Sequence, residues 1–452
     1  MGKELVLRTL KHEETEGIPW VPFAGIHAGK LKNYTAEEIL KDGDKLFESL
    51  MEVKKMYNPD GMPIVFDLQI EAEIFGCELK WAKENPPSVR SHPFAGEKKI
   101  PCNCLIPTAK SGRIPMVLDV MRRVKAEIGG EVALYGLICG PFTLASHLRG
   151  SDIFTDMVKD KQFVKELVGY CSEVACRMAD LYLEAGMDVI AVVDPLVSQA
   201  SPKSIESMML ESFKAVFDYI RSKGALSSFF VCGNATNQLE VMCKTYPDSI
   251  SVDENVNLLQ AKTITDKYNI AIGGNIPLTT TMLYGTQQDN MKYVLDLMDS
   301  LTHKNLIISP GCDMPYSTPI QNTVAAAQAV KRPEDARKLI ENYTAVVDDI
   351  DVELADYQKM DKVLLELFLL DPEQCAACTY MLNSVKDAFD EFKEMAEYRV
   401  YKYTVREDIA RTGKMGITNL PTMTIDGDIK WVSIIPSKNE LIEEVKKYFK
   451  KK

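Results

Sequence analysis

The sequence predicts an α/β chain: a (β/α)8, or TIM, barrel followed by a small α/β module that carries a CxxC pair. Three observations predict it. Between Trp20 and Cys312 eight short apolar runs alternate with longer helical patterns, the signature of repeated strand–helix units around a parallel sheet. Cys232 in SSFFVCGNAT and Cys312 in LIISPGCDMP each stand just past such a run, where a buried strand hands over to a loop. Far downstream, LLELFLLDPEQCAACTYML sets Cys375 and Cys378 at CxxC spacing directly after another strand-like run.

The eight runs are Trp20 to Phe23, Pro63 to Phe66, Ala133 to Cys139, Asp188 to Val193, Ser228 to Cys232, Ser249 to Val252, Ile270 to Gly274 and Leu306 to Ser309. Intervening stretches such as DMVKDKQFVKELVGYCSEVACRMADLYLEAG space their apolar residues by three and four and end in Gly, as an amphipathic helix does. Eight strands with crossover helices close most simply as a barrel, whose functional groups come from the carboxyl ends of the strands. Those ends supply His27, Asp67, Asp194, Cys232, Asp253, Asn275 and Cys312.

At 452 residues the chain has room for two domains, the larger taking about 200 to 400 residues if it is a barrel. The barrel is assigned to residues 1–345. The polar, acidic stretch within RPEDARKLIENYTAVVDDIDVELADYQKMD places a connection at 346–361. Residues 362–452 then run strand (Val363 to Leu369), CxxC, helix (Met381 to Met395), strand (Arg399 to Val405), short helix, Leu420-Pro421, two strands (Thr422 to Ile425, Ile429 to Ile434) and a final helix from Asn439. That order is thioredoxin-like, and such a fold places a cis proline at Pro421 beside its dithiol. Cys375 at a helix N-terminus is the expected attacking sulfur and Cys378 the resolving one.

Composition excludes several partners. The formal charge is -12 and the hydrophobic share 46%, so a large core is affordable, while nucleic acid and anionic membranes, which attract basic patches, are not expected. The start MGKELVLRTLKHEE has no apolar segment of signal-peptide length, and no uninterrupted run of about 18 apolar residues spans a bilayer. The expected location is the cytoplasm, where 11 cysteines signify reduced thiols, metal ligands or redox motifs more often than structural bridges. Cys102 and Cys104 in IPCNCLIP form a CxC pair without a partner motif.

Zinc deprotonates a bound thiol near neutral pH and leaves it a soft nucleophile. Cys232 and Cys312 are suitable anchors for such an ion, and a catalytic site wants a third protein ligand. Residue 230 would share the inward face of Cys232 but is Phe. His27 is the next candidate, because the first and eighth strands are neighbours in a closed barrel; Asp194 and Asp253 are alternatives. The same residues have a plainer reading: cysteines as packing, His27 as a hydrogen-bonded strand-end residue, the aspartates as caps or loop anchors.

The segments VFDLQIEAEIFGCELKW, CGPFTLASHLRG, DVIAVVDPLVSQASP, FFVCGNATNQL, SVDENVNL and IISPGCDMP resemble the uroporphyrinogen decarboxylase superfamily, specifically its cobamide-dependent methyltransferase branch of methylcobamide:coenzyme M and chloromethane type. The likeness covers roughly residues 1–345. It implies a barrel that moves a methyl group between a corrinoid carrier protein and a thiol or pterin acceptor, with the cobamide supplied by that partner. In that branch a His-x-Cys and a later Cys bind zinc; Cys232 and Cys312 match the cysteines, and Phe230 stands at the histidine position. Asp194, Asp253 and Asn275 are then expected to position the acceptor. The alternatives are porphyrinogen decarboxylation, for which WVPFAGIHAGKL lacks an arginine near the first strand, and a thiol-redox or corrinoid-binding protein working through the CxxC module.

Overall fold

In a computed structural model, which describes residues 2–344, 350–370 and 376–450, the chain divides into two compact units, Met1–Ala345 and Val346–Lys452. Among the described residues no helix is long and apolar enough to cross a membrane.

The first unit opens with α1 (Gly2–Leu10) and, after the Trp20 segment, α2 (Gly43–Tyr57). Strand–helix units follow: β1 (Gly61–Pro63), α3 (Ile114–Ile128), β2 (Ala133–Cys139), α4 (Pro141–Arg149), α5 (Lys161–Glu184), β3 (Val189–Val193), α6 (Leu210–Ser222), β4 (Leu226–Val231), β5 (Ser249–Val252), α7 (Leu258–Thr265), β6 (Ala271–Ile276), α8 (Gln287–Ser300), β7 (Leu306–Pro310) and α9 (Ile320–Lys331). The seven strands pair in sequence order, every pair parallel. Strands buried on both faces read as unbroken apolar runs, and β2 and β3 are buried at every position. Gly136 in β2 is a packing requirement, since a Cβ there would lie 2.9 Å from the Tyr182 ring of α5.

The eighth position is held by the Trp20 segment. Trp20 bridges to Ile308 of β7 in parallel, through Val21 N–H to the Ile308 carbonyl (3.0 Å) and Ile308 N–H to the Pro19 carbonyl (2.9 Å). On its other side Asp60, at the start of β1, donates its N–H to the Trp20 carbonyl (2.9 Å) and accepts the Trp20 N–H on Oδ2 (2.9 Å). The sheet thereby curls into a barrel-like fold, with the second expected run sharing only Pro63 with its strand. The second run sits earlier than expected, because β1 pairs from Gly61, with Gly61 opposite Ala133.

Inside the barrel, side chains two apart on each strand converge. Val21, Phe23, Phe66, Tyr135, Leu137, Val189, Ala191, Val193, Phe230, Ala271 and Ile307 form one cluster with Val6 and Leu10 of α1. The helix enters from the amino ends of the strands, where Lys3 N–H meets the Glu131 carbonyl (2.7 Å) just before β2.

The second unit contains β8 (Val363–Leu369), α10 (Ala376–Ala388), β9 (Ala396–Lys402), α11 (Arg406–Lys414), β10 (Thr422–Ile425), β11 (Asp428–Val432) and α12 (Lys438–Phe449). Its sheet order is β9-β8-β10-β11, with β8 parallel to β9, antiparallel to β10, and β10 antiparallel to β11. Helices α10 and α12 share one apolar cluster with the sheet, contributing Met381 and Val385, and Leu441 and Val445. The Leu420–Pro421 peptide is cis. Cys378 is buried in α10, and Cys375 lies outside the described residues. The expected connection at 346–361 is, in its described part, attached to the second unit. Lys414 Nζ reaches Asp351 (2.9 Å), Arg411 reaches the Glu353 carbonyl (2.9 Å), and the Tyr357 hydroxyl donates to Glu366 (2.7 Å).

Barrel closure makes Asp60 a stability determinant, because its buried carboxylate also receives Lys331 Nζ at 2.6 Å. Asp60→Ala is expected to lower unfolding stability by about 2–4 kcal/mol, the cost of orphaning a buried donor and a charge, read as a lower urea midpoint at unchanged slope.

Candidate functional site

Cys232 follows the last residue of β4 and Cys312 stands two past the end of β7, so both thiols lie at the carboxyl-end mouth. They are bonded as a disulfide, Cα to Cα 5.9 Å. Since β5 and β6 lie between β4 and β7, the bridge spans the mouth and does not staple adjacent strands. Both cysteines are half-buried and rest on the barrel's apolar cluster. Phe230, two residues before Cys232 and on the same inward face, is fully buried there. Its ring centroid lies 4.8 Å from Phe23 and 5.9 Å from Phe66, so the sulfurs have an aromatic floor.

His27 is engaged within the fold. The chain turns into a short helix at His27, and the buried ring is used up: Nε2 meets the Tyr57 hydroxyl at 2.6 Å and Nδ1 the Tyr316 carbonyl at 3.0 Å. Burial lowers its pKa to about 4, so it is a neutral, doubly engaged ring and supplies no third metal ligand.

Asp194 caps a helix. Its oxygens accept the N–H groups of Phe142 (2.8 Å) and Thr143 (3.1 Å) and the Thr143 hydroxyl (2.6 Å), at the N-terminus of α4. Burial pushes this carboxyl up to about 7 against those bonds. Asp253 and Asn275 form a frame. Asn275 Nδ2 donates to the carbonyls of Asp253 (3.0 Å) and Val256 (2.7 Å). Asp253 accepts the Asn255 N–H (2.9 Å) and is hydrogen-bonded by the Gly233 N–H, next to Cys232. Asp67 pairs with Arg113 (2.7 Å), whose guanidinium also binds Glu73 (2.7 Å) and stacks on Trp81.

Two carboxyls escaped sequence reasoning. The loop that Asn275 holds presents Glu254, whose Oε1 takes the Leu278 N–H (3.4 Å) while Oε2 has no partner and faces Gly311, where a Cβ would collide with it. Asp313 is hydrogen-bonded by the N–H groups of Ile26 and Met314, yet its Oδ1 has no partner and lies against Gly25. Burial holds both carboxyls well above the usual carboxylate range. The signal available was only an acid at each strand-end motif, DEN and CDM, and nothing local distinguishes an unpartnered carboxyl from a capping one.

The donor set as it stands does not fit zinc. The two sulfurs are spent on each other, His27 and Phe230 offer no nitrogen, and among the described residues no group of three or more His, Cys, Asp or Glu is placed to hold a metal ion.

The sequence profile of uroporphyrinogen decarboxylase (URO-D) matches residues 1–333. The chain belongs to the uroporphyrinogen decarboxylase family. Within it, a methylcobamide:CoM methyltransferase of Methanosarcina acetivorans is 27% identical over 73% of this chain and 97% of its own length. A second, from Methanosarcina barkeri, is 26% identical over 60% of this chain and 79% of its own. A solved methyltransferase structure from Methanosarcina mazei superposes with a TM-score of 0.67 at 22% identity, over 74% of this chain and 99% of that one. These members are similar to the barrel unit; the uroporphyrinogen decarboxylase match ends before the second unit begins.

The buried carboxyls set a pH dependence. Asp194 and Glu71, the latter accepting the Cys139 N–H at 3.0 Å, are both raised by burial to about 7, from 3.8 and 4.5. The folded chain therefore keeps protons that the unfolded chain releases, and the stability tied to them is full below the unfolded values and lost as pH rises to about 7. Stability of the native chain relative to an Asp194→Asn, Glu71→Gln variant should fall across that window and level off above it; a rise would contradict the assignment.

Proposed function

We propose that the barrel unit moves a methyl group between a methyl-corrinoid carried by a partner protein and a thiol or pterin acceptor. The observation that carries this reading is the similarity to a methylcobamide:CoM methyltransferase across 97% of that protein's length, joined to a mouth that holds a pair of sulfurs. In the dithiol form, Cys232 and Cys312 are polarisable groups against which an acceptor sulfur can be held. The aromatic floor of Phe23, Phe66 and Phe230 excludes water beneath it, and Asp253 and Asn275 fix the loop around it. The corrinoid supplies the methyl group; this chain binds and orients the acceptor. Zinc is not part of this proposal, because among the described residues no group of three or more His, Cys, Asp or Glu is placed to hold a metal ion.

Porphyrinogen decarboxylation is the less favoured reading. The chain's formal charge of -12 disfavours a polycarboxylate, and Arg113 is already engaged by Asp67 and Glu73. For the second unit, we read a thioredoxin-like module with Cys375 and Cys378 as its dithiol. The β9-β8-β10-β11 order and the helix that carries Cys378 support this.

The test is demethylation of methylcobalamin by the reduced full chain in the presence of a small thiol, followed by the corrin absorbance. Cys232→Ser and Cys312→Ser should each slow it by about 100-fold, or roughly 3 kcal/mol of barrier. Unchanged rates in both folded variants would remove the cysteines from the reaction.

A further inference from the structure

The sulfurs at the barrel mouth are bonded to one another, and the barrel does not need that bond. Strand β4 is laddered to β3 and β5, and β7 to β6 on one side and to the Trp20 segment on the other. The frame that holds the two Cα atoms 5.9 Å apart is thus complete without the bridge, and this separation lets the bond form or open without backbone movement. The pair also differs from the thiols around it. Cys77, Cys139, Cys171 and Cys243 are buried and unpaired, and burial pushes all four thiols up, which makes them inert. Cys232 and Cys312 are half-buried at the mouth, within reach of a small molecule.

We propose that Cys232 and Cys312 are a working dithiol–disulfide couple, and that the mouth takes as substrate the disulfide of a small neutral or cationic thiol and reduces it. This deepens the methyl-transfer reading and rests on it in one respect: the thiol released is the acceptor. One cysteine thiolate attacks a sulfur of R–S–S–R, forming a mixed disulfide and expelling the first RSH. The other cysteine then attacks the protein sulfur of that mixed disulfide, closes the Cys232–Cys312 bond and expels the second RSH. Two electrons pass from the pair to the substrate, and the two thiol protons leave on the products. An external dithiol recharges the pair by the same exchange in reverse.

The surroundings select the substituent R. Phe23, Phe66 and Phe230 give it an apolar bed beneath the sulfurs. The guanidinium of Arg113 is neutralised by Asp67 and Glu73. The chain carries a formal charge of -12, whose field disfavours an acidic R; a neutral or cationic one meets no such repulsion.

The experiment uses the full chain carrying Cys102→Ser and Cys104→Ser, which remove the exposed thiols, with Cys375→Ser and Cys378→Ser, reduced with dithiothreitol, desalted, and offered cystamine, bis(2-hydroxyethyl) disulfide or dithiodiglycolate with no corrinoid present. The expected result is release of about two thiols per chain, a Cys232–Cys312 cross-linked peptide in the mass map, and its reversal by dithiothreitol. Cystamine should react at least about ten-fold faster than dithiodiglycolate. Adding Cys312→Ser should stop the reaction at a mixed disulfide on Cys232, with a thermal midpoint within about 3 °C of the parent. The proposal is overturned if no Cys232–Cys312 peptide forms, if thiol release survives both Cys232→Ser and Cys312→Ser, or if the bond resists dithiothreitol in the folded chain. Faster reaction of dithiodiglycolate would overturn the assigned substrate class. Because no corrinoid is present, a chain that passes here yet moves no methyl group loses only the earlier reading, and the converse holds.

Discussion

The barrel unit depends on closure of its parallel sheet by the Trp20 segment. One short stretch of backbone satisfies the free edges of both β7 and β1, and the Asp60 carboxylate fixes its register from below. Once the sheet is closed, the two-residue alternation of its strands dictates what points inward. The same alternation that buries Phe230 brings Cys232 to the rim above it, and the ring of strands sets Cys312 across from it. The meeting of the two sulfurs is therefore a consequence of barrel geometry.

Around those sulfurs the mouth has an uneven electrostatic character. Carboxyls whose oxygens are fully engaged, such as Asp194, serve the frame. Two others, Glu254 and Asp313, keep an oxygen without any protein partner. The aromatic floor is built around Phe230, which offers no nitrogen where the related methyltransferase branch is expected to carry a histidine.

Much of the fold was legible in the sequence because parallel strands buried on both faces leave long apolar runs, and the third to eighth runs overlap strands of the sheet. The inward parity of residues 230 and 232 was legible for the same reason. What could not be read were partners brought together over long separations. His27 looked like a strand-end ligand, but Tyr57 on α2 and the Tyr316 carbonyl claim both its nitrogens. Asp194 looked like a pocket acid, but the helix it caps belongs to the preceding strand–helix unit. Glu254 and Asp313 were passed over because lack of a partner is a property of the folded surroundings and leaves no mark on local pattern. The connection at 346–361 looked polar enough to be free, yet Lys414 and Arg411, more than fifty residues on, hold its described part.

The convergence of Cys232 and Cys312 is the claim on which the chemistry rests, and a trivalent arsenical measures it directly, since it bridges two thiols only when their sulfurs lie within a few ångströms. Phenylarsine oxide added to the reduced, folded full chain should leave one phenylarsenic bridge joining the Cys232 and Cys312 peptides in the mass map. Arsenic found only at other cysteines, with Cys232 and Cys312 still open to separate alkylation, would contradict the account.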